Sequence, residues 1–161
     1  MAPRATPARD AEAPAAREGL DLAPLAGHLG FLLRLAQQSL FETFHRRFGT
    51  LGLTPARYSV LVMLRANPDA RQVALAEALR IKPPNLAVLV AAMQAEGLIE
   101  RRTDAANRRA NKLRLTPAGA ALLARSEAAV WAMEEEFAAA LAPEERRGLL
   151  GALARLAGAP R

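Results

Sequence analysis

The chain has 161 residues, a formal net charge of +6 at pH 7 and no cysteine. The length allows one ordinary globular domain, and the missing cysteines exclude a disulfide scaffold, a Cys-ligated metal and a thiol-based redox sensor. No apolar run reaches the roughly 18–20 residues that span a bilayer, and residues 1–19 lack the apolar core of a secretory signal. For these reasons we expect a cytoplasmic protein without a membrane partner. Since alanine is the best helix former and dominates the composition, we also expect the protein to be mainly helical.

The first half of the chain predicts a tail and three helices. Residues 1–19, rich in Ala, Pro and charged side chains, are expected to be disordered. Leucine and phenylalanine recur at helical spacing from there to Phe48, which predicts one long helix. Thr54-Pro55 has the form of a helix start, with Thr as N-cap, and predicts a second helix to about Ala66. Residues 71–80 predict a short third helix.

A fourth helix is predicted from Pro83-Pro84, because proline is tolerated in a first turn. Its apolar stripe consists of Leu86, Leu89, Val90 and Met93. The opposite face is small and neutral, with Asn85, Ala87, Val88, Ala91 and Gln94.

After the fourth helix the spacing of apolar residues changes from the helical period to the two-residue period of β-strands, which predicts a β-hairpin. Leu113 and Leu115 alternate with charged residues, as in a half-buried strand, and 98–102 and 111–115 flank a polar turn over 103–110. Residues 99–114 carry six basic side chains against two acidic ones, so most of the net charge lies on this hairpin. Two more helices are predicted, from Thr116-Pro117 to about Leu141 and from Pro143 to about Ala157.

This order of elements is that of a winged helix-turn-helix. In such a fold the fourth helix enters the major groove of double-stranded DNA, and the hairpin, or wing, reaches the backbone or the minor groove. Ala87 and Ala91 permit close approach and contact with thymine methyls, while Lys82 and Asn85 can reach phosphates or base edges. Apolar stripes left over on the terminal helices predict a dimer. The expected fold class is therefore mainly α with a small β-hairpin wing, dimerising through its N- and C-terminal helices.

The sequence resembles the MarR family of transcriptional regulators over about Leu20 to Ala157. The matching stretches are LTPARYSVL at 53–61, QAEGLIERR at 94–102, and Asn107-Arg108-Arg109 followed by LTPAG at 115–119. Family members typically carry Asp-x-Arg, five residues, then Leu-Thr, and here Asn107 replaces that Asp. The resemblance implies that Arg109 enters the minor groove, where Asn107 can orient it by a hydrogen bond but without a charge.

The resemblance also implies how such a protein works. It predicts a homodimer on a pseudo-palindromic operator whose half-sites lie roughly 10 bp apart. Repression would be relieved by a small effector, an aromatic acid or its thioester, that favours a dimer geometry unable to bind DNA. The implied organisation is a tail (1–19), an N-terminal dimerisation helix (20–52), a DNA-binding lobe (53–116) and C-terminal dimerisation helices (117–161).

Two sets of candidate site residues follow. The predicted DNA contacts are Lys82, Pro84, Asn85, Ala87, Val88, Ala91, Arg101, Arg102, Asn107, Arg108, Arg109 and Lys112. On the first helix Arg34, Gln38 and His45 recur at intervals of four and seven, near Phe31 and Phe41. The predicted effector contacts are His28, Phe31, Arg34, Gln38, Arg57 and Tyr58, with an ordinary polar helix face as the alternative.

Other functions find less support in the residues. The two histidines form no cluster with carboxylates, so no metal or cofactor is expected. The sequence contains no Gly-rich phosphate loop and no nucleophile–base set, so we expect a binding protein and not an enzyme. Two alternatives to an operator-binding regulator stay open: a winged-helix module that binds another protein, and a nucleoid protein that tolerates any DNA sequence.

Overall fold

The computed structural model describes residues 20–104 and 107–158, with the backbone alone for 103–104 and 107–111. The predicted tail over residues 1–19 lies outside this part of the chain. Within these described residues the six α-helices and three strands are α1 (Leu29–Phe48), α2 (Pro55–Ala66), β1 (Ala70–Arg71), α3 (Gln72–Leu79), α4 (Pro83–Ala95), β2 (Ile99–Asp104), β3 (Asn107–Leu115), α5 (Pro117–Phe137) and α6 (Pro143–Ala157). This order confirms the predicted mainly helical, winged helix-turn-helix fold.

The chain divides into two compact units, with the boundary between Leu40 and Phe41, inside α1. The described part of the first unit contains a single 3-10 turn at Ala23–Leu25 and the start of α1. The second unit contains all the other elements. Within the described residues, no helix offers an apolar stretch long enough to cross a membrane.

The core of the second unit forms where the apolar stripes of its helices meet the inner face of the hairpin. Its fully buried side chains come from every element of the winged-helix lobe except β1, and also from α5: they include Leu61, Leu64, Leu75, Leu86, Val90, Met93, Ile99, Leu113, Leu123 and Met133. On α2, Val60 is fully buried, whereas Val62 is half-buried. Both threonine caps are confirmed, because the Thr54 and Thr116 hydroxyls accept hydrogen bonds from the backbone N–H of Arg57 and Gly119 at 3.2 and 3.1 Å.

The sheet has a third strand that the sequence did not reveal. β1 pairs antiparallel with β3, Ala70 opposite Leu113 and Arg71 opposite Lys112, which gives the order β1-β3-β2. Arg71 was expected to begin the third helix and lies in this strand instead. A strand of two residues leaves no alternation to read, and it exists only because β3 supplies its backbone partners.

Three boundaries differ from the prediction. The first long helix was expected from about residue 20, whereas α1 begins at Leu29, after the 3-10 turn at Ala23–Leu25. The hairpin strands extend to Asp104 and from Asn107, so most of the expected turn over 103–110 is strand. Backbone hydrogen bonds hold these strands together whatever their side chains, and a register shift between Thr103 and Asp104 lets the pairing continue. α5 ends at Phe137 and not near Leu141, because the following alanines tighten into turns before the extended Ala142 that precedes Pro143.

Candidate nucleic-acid interface and effector cleft

Helix α4, called the recognition helix here because it is the one predicted to enter the major groove, is anchored by one face and leaves the other exposed. Pro83 and Pro84 occupy its first turn after Lys82, and its buried side chains are Leu86, Val90 and Met93. The α4 residues predicted to contact DNA are all exposed, as is Lys82: Pro84, Asn85, Ala87, Val88 and Ala91. Val88 is 73% exposed.

The C-terminal end of α4 is held by three contacts within the same unit. Glu96, the C-cap residue of α4, forms an ion pair with Arg57 at the start of α2. The Arg57 side chain is only 14% exposed. The Thr116 hydroxyl donates a hydrogen bond to the carbonyl oxygen of Gly97 at 2.6 Å. Gly119 of α5 lies so close to Leu98 that a Cβ there would come within 2.0 Å of the Leu98 carbonyl oxygen. These contacts fix α4 relative to α2 and to the first turn of α5.

The first strand of the wing, β2, carries two exposed arginines, and one of them contacts the helix-turn-helix. The Arg101 guanidinium donates to Gln72 Oε1 at 3.1 Å, and Arg102 Nε lies 3.8 Å from Glu100 Oε1; both arginines are exposed. Lys112 is half-buried on β3, opposite Arg102 on β2. The side chains of Asn107, Arg108 and Arg109 lie outside the described residues, so their predicted contacts stay predictions.

An ion pair fixes the base of the wing. Arg114 on β3 pairs with Asp69, whose backbone adopts a left-handed conformation with φ of 63° just before β1. The hydrogen bond from Arg114, reinforced by the positive charges of Arg114, Arg102 and Lys112, lowers the pKa of Asp69 below its ordinary value. The Asp69 carboxylate is therefore ionised at neutral pH, and its ion pair joins β3 to the turn that leads into β1.

Three of the predicted effector contacts form a local cluster in the first unit. The Arg34 guanidinium lies 5.3 Å from the centre of the Phe31 ring and donates a hydrogen bond to Gln38 Oε1 at 3.1 Å. Arg34, Gln38 and His28 are exposed, and Phe31 is half-buried. The predicted spacing thus brings an arginine, an amide and an aromatic ring together on one helix face.

The two predicted contacts from α2 have other partners in the second unit. Arg57 pairs with Glu96, as described above. Tyr58 is half-buried, with its ring centre 6.1 Å from that of Phe44, and burial together with Glu127 and Glu134 raises the pKa of its hydroxyl.

The second unit also contains a cleft of about 430 Å³ that the sequence did not reveal. It opens between the C-terminal half of α1, the first turn of α2 and the end of α3, and neither Arg57 nor Tyr58 lines it. Its lining residues are Phe41, His45, Thr54, Pro55, Ala56, Ser59, Leu79 and Ile81. Sequence spacing had placed His45 in the predicted stripe and Phe41 near it, but only the packing of three helices brings them to this cleft.

The polar groups of the cleft are few. His45 Nδ1 lies 2.7 Å from the Phe41 carbonyl oxygen, which can only accept, so Nδ1 carries a proton. In the neutral ring Nε2 is then left as an acceptor, and in the charged ring it is a second donor. The Ser59 hydroxyl donates to the Pro55 carbonyl oxygen at 2.9 Å. Among the described side chains, no group of three or more His, Asp or Glu residues is placed to hold a metal ion.

Comparison with known proteins relates this geometry to a family. Residues 51–110 match the sequence pattern of the MarR family. The chain is 39% identical over 133 residues to a proposed transcriptional regulatory protein for the hcr operon of Thauera aromatica, an alignment that covers 82% of this chain and 80% of that protein.

Solved structures give the same result. The transcriptional repressor CouR bound to a 23-mer DNA duplex superposes with a TM-score of 0.80 at 35% identity, covering 86% of this chain and 99% of that chain. CouR bound to p-coumaroyl-CoA gives 0.78 at the same identity, covering 86% and 98%. BpsR of Bordetella bronchiseptica, whose DNA binding is regulated by 6-hydroxynicotinic acid, gives 0.75 at 26% identity, covering 80% and 98%. With its exposed recognition helix, its basic wing and these relatives, the chain belongs to the MarR family of winged-helix transcriptional regulators.

Proposed function

We propose that this protein is a transcriptional repressor that binds a pseudo-palindromic DNA operator and leaves it when a small aromatic effector binds. The observation that carries the proposal is the outward face of α4, which is exposed and uncharged while Lys82 precedes it and Arg101 and Arg102 lie on the adjoining strand. Cations bind the DNA backbone without regard to sequence, whereas an uncharged helix face inserted in the major groove can distinguish bases. The relative CouR, 35% identical, binds DNA and supports this assignment.

The proposed DNA contacts are the twelve residues derived from the sequence. Base-edge contacts come from Asn85, Ala87, Val88 and Ala91, and Pro84 sets the approach of the helix start. Backbone contacts come from Lys82 and from Arg101, Arg102, Arg108 and Lys112 of the wing. Arg109, with Asn107 beside it in sequence, enters the minor groove.

A homodimer is proposed because the terminal helices expose large apolar side chains. Trp131 on α5 is 57% exposed, and Leu149, Leu150 and Leu156 on α6 are 44%, 59% and 64% exposed. Because exposed apolar patches mark protein interfaces, these side chains favour association through the terminal helices. Because a two-fold dimer presents two identical α4 helices, the operator is expected to be pseudo-palindromic, with half-sites about 10 bp apart.

The effector is proposed to bind in the cleft beside His45. Its volume lies within the usual range for small-molecule sites, roughly 300–1,000 Å³, and its lining is mostly apolar with a few polar groups. His45 Nε2 can accept from a phenolic hydroxyl or, when the ring is charged, donate to a carboxylate. The cleft therefore suits an aromatic acid or its thioester, the ligand chemistry of CouR and BpsR.

Anisotropy titrations at about 150 mM salt would test DNA binding, with a labelled duplex from the DNA upstream of the protein's own coding sequence and a scrambled duplex of the same composition. A repressor binds the first much more tightly than the second. Equal affinity for both would show a sequence-tolerant nucleoid protein, and no complex with either would favour a protein–protein interaction module.

Thermal shift with p-coumarate, p-coumaroyl-CoA and 6-hydroxynicotinate would test the effector class, because a ligand that binds the native state raises its melting temperature. With a compound that also weakens DNA binding, His45→Leu is expected to abolish the response while leaving DNA affinity unchanged. Arg34→Ala is the matched variant for the rival site on the first helix. If Arg34→Ala abolished the response and His45→Leu did not, the effector would bind at the Arg34 site and not in the cleft.

A further inference from the structure

The outermost line of α4 is entirely apolar. At 100° per residue, positions 84, 88, 91 and 95 lie opposite the buried Leu86, Val90 and Met93. These four positions hold Pro84, Val88, Ala91 and Ala95, and all are exposed. Val88 is the largest of them, and most of its side chain lies in solvent.

The helix also lacks the groups that read guanine. α4 contains no lysine or arginine, and its hydrogen-bonding side chains are Asn85 near its start and the half-buried Gln94 near its end. Guanine is read in the major groove by two donors from arginine or lysine, and cytosine by a carboxylate. An apolar side chain can discriminate there through the thymine C5-methyl group, while asparagine pairs with the N6 and N7 atoms of adenine.

The charges around this line identify double-stranded DNA as what covers it. Lys82, Arg101 and Arg102 are exposed in the same unit, on the residue before α4 and on β2. A protein partner that buried the apolar line would also need carboxylates at its rim to match these cations. A duplex supplies phosphates beside a groove that displays methyl groups, and so complements both features at once.

We propose that α4 reads thymine by its methyl group: Val88, with Ala91 one turn further along, packs against thymine methyls, and Asn85 reads an adjacent adenine. The half-site facing α4 is then a run of A·T pairs whose recognition depends on methyl groups. This inference rests on the proposed function, because it specifies which bases the same helix face recognises.

The test starts from duplexes selected by the full-length protein from a random 24-bp library. Thymines in the selected half-site are then replaced one at a time by deoxyuridine, which keeps all Watson–Crick pairing and removes only the methyl group. Replacing a thymine in contact with Val88 is expected to weaken binding about fourfold, the effect of one buried methyl-sized group. Deoxyuridine in the flanking sequence serves as the DNA control and should have no effect.

Val88→Ala is expected to abolish the fourfold penalty at that thymine. Val73→Ala is the matched protein control, since Val73 is also exposed, at 65%, but lies on α3, and it should leave the penalty unchanged. A selected half-site with G·C pairs opposite Val88, or a deoxyuridine penalty that persists in Val88→Ala, would overturn the inference. If the library yields no preferred sequence, the proposed function itself fails, which is a distinguishable result.

Discussion

Gly119→Ala tests how the recognition helix and wing are held against the long helix that follows. Gly119 lies in the first turn of α5, and an added Cβ would sit 2.0 Å from the carbonyl oxygen and 2.9 Å from the carbonyl carbon of Leu98. Leu98 connects α4 to β2. Any movement that relieves the overlap therefore displaces the junction between recognition helix and wing.

The expected change in the free energy of unfolding combines one stabilising and two destabilising effects. Replacing glycine by alanine inside a helix stabilises it by about 1 kcal/mol. Overpacking of this kind costs about 1–3 kcal/mol, and here the obstacle is main chain, which cannot rotate away as a side chain would. The Leu98 carbonyl also accepts a hydrogen bond from the backbone N–H of Thr116 at 3.1 Å, and losing that bond costs about 1 kcal/mol more. The expected net loss of stability is roughly 1–3 kcal/mol.

Urea unfolding followed by circular dichroism, at one fixed protein concentration, measures this change without interference from dimer mass action. Gly148→Ala on α6 is the matched control, because a Cβ there would meet nothing within 4 Å. It should be neutral or stabilise the protein by up to about 1 kcal/mol. If Gly119→Ala matched the wild type in both stability and DNA affinity, the close approach of α5 to Leu98 would be refuted.

Three further changes probe the charged contacts. Glu96→Ala removes the partner of the poorly exposed Arg57 and should lower urea stability by about 1–2 kcal/mol; an unchanged midpoint would show that the pair contributes nothing. Asp69→Asn keeps a residue that tolerates the left-handed backbone but removes the carboxylate bound by Arg114. Since folding lowers the pKa of Asp69, its stabilisation is complete above about pH 4, the unfolded value, and is lost on further acidification. The wild type and Asp69→Asn should therefore differ in urea midpoint at neutral pH and converge below pH 4, whereas a constant gap would exclude the linkage. Arg109→Ala should weaken operator binding and reduce the slope of log affinity against log salt by about 1, and equal slopes would remove Arg109 from the groove.

Much of the fold could be predicted because its signals are local. Thr54-Pro55 and Thr116-Pro117 mark helix starts through contacts that span three residues, and both caps form as expected. The apolar stripe of α4 is readable at 3.6-residue spacing, so its buried and exposed faces follow from the sequence. The same periodicity shows that the outward face carries no charge.

Other features depend on elements distant in sequence and could not be predicted in this way. The two-residue strand β1 exists only through β3, more than 40 residues away. The local sequence around Glu96 does not indicate that Arg57 is its partner, because α2 and the end of α4 come together only on folding. The cleft beside His45 was missed for the same reason: three helices form it, and no spacing within one helix defines it.

The sequence by itself determined which face of α4 points outward, which chemical groups that face carries and where the positive charge is concentrated. Each of these is a property of neighbouring residues. Only the tertiary structure decided what each charge does. In the folded protein Arg114 forms an ion pair with Asp69 and Arg57 forms one with Glu96, while Arg101 and Arg102 are exposed on the strand that follows the recognition helix. The physical reason is that periodicity fixes the direction of a side chain from its own helix or strand, whereas partners and cavities are set by the packing of segments far apart in the chain.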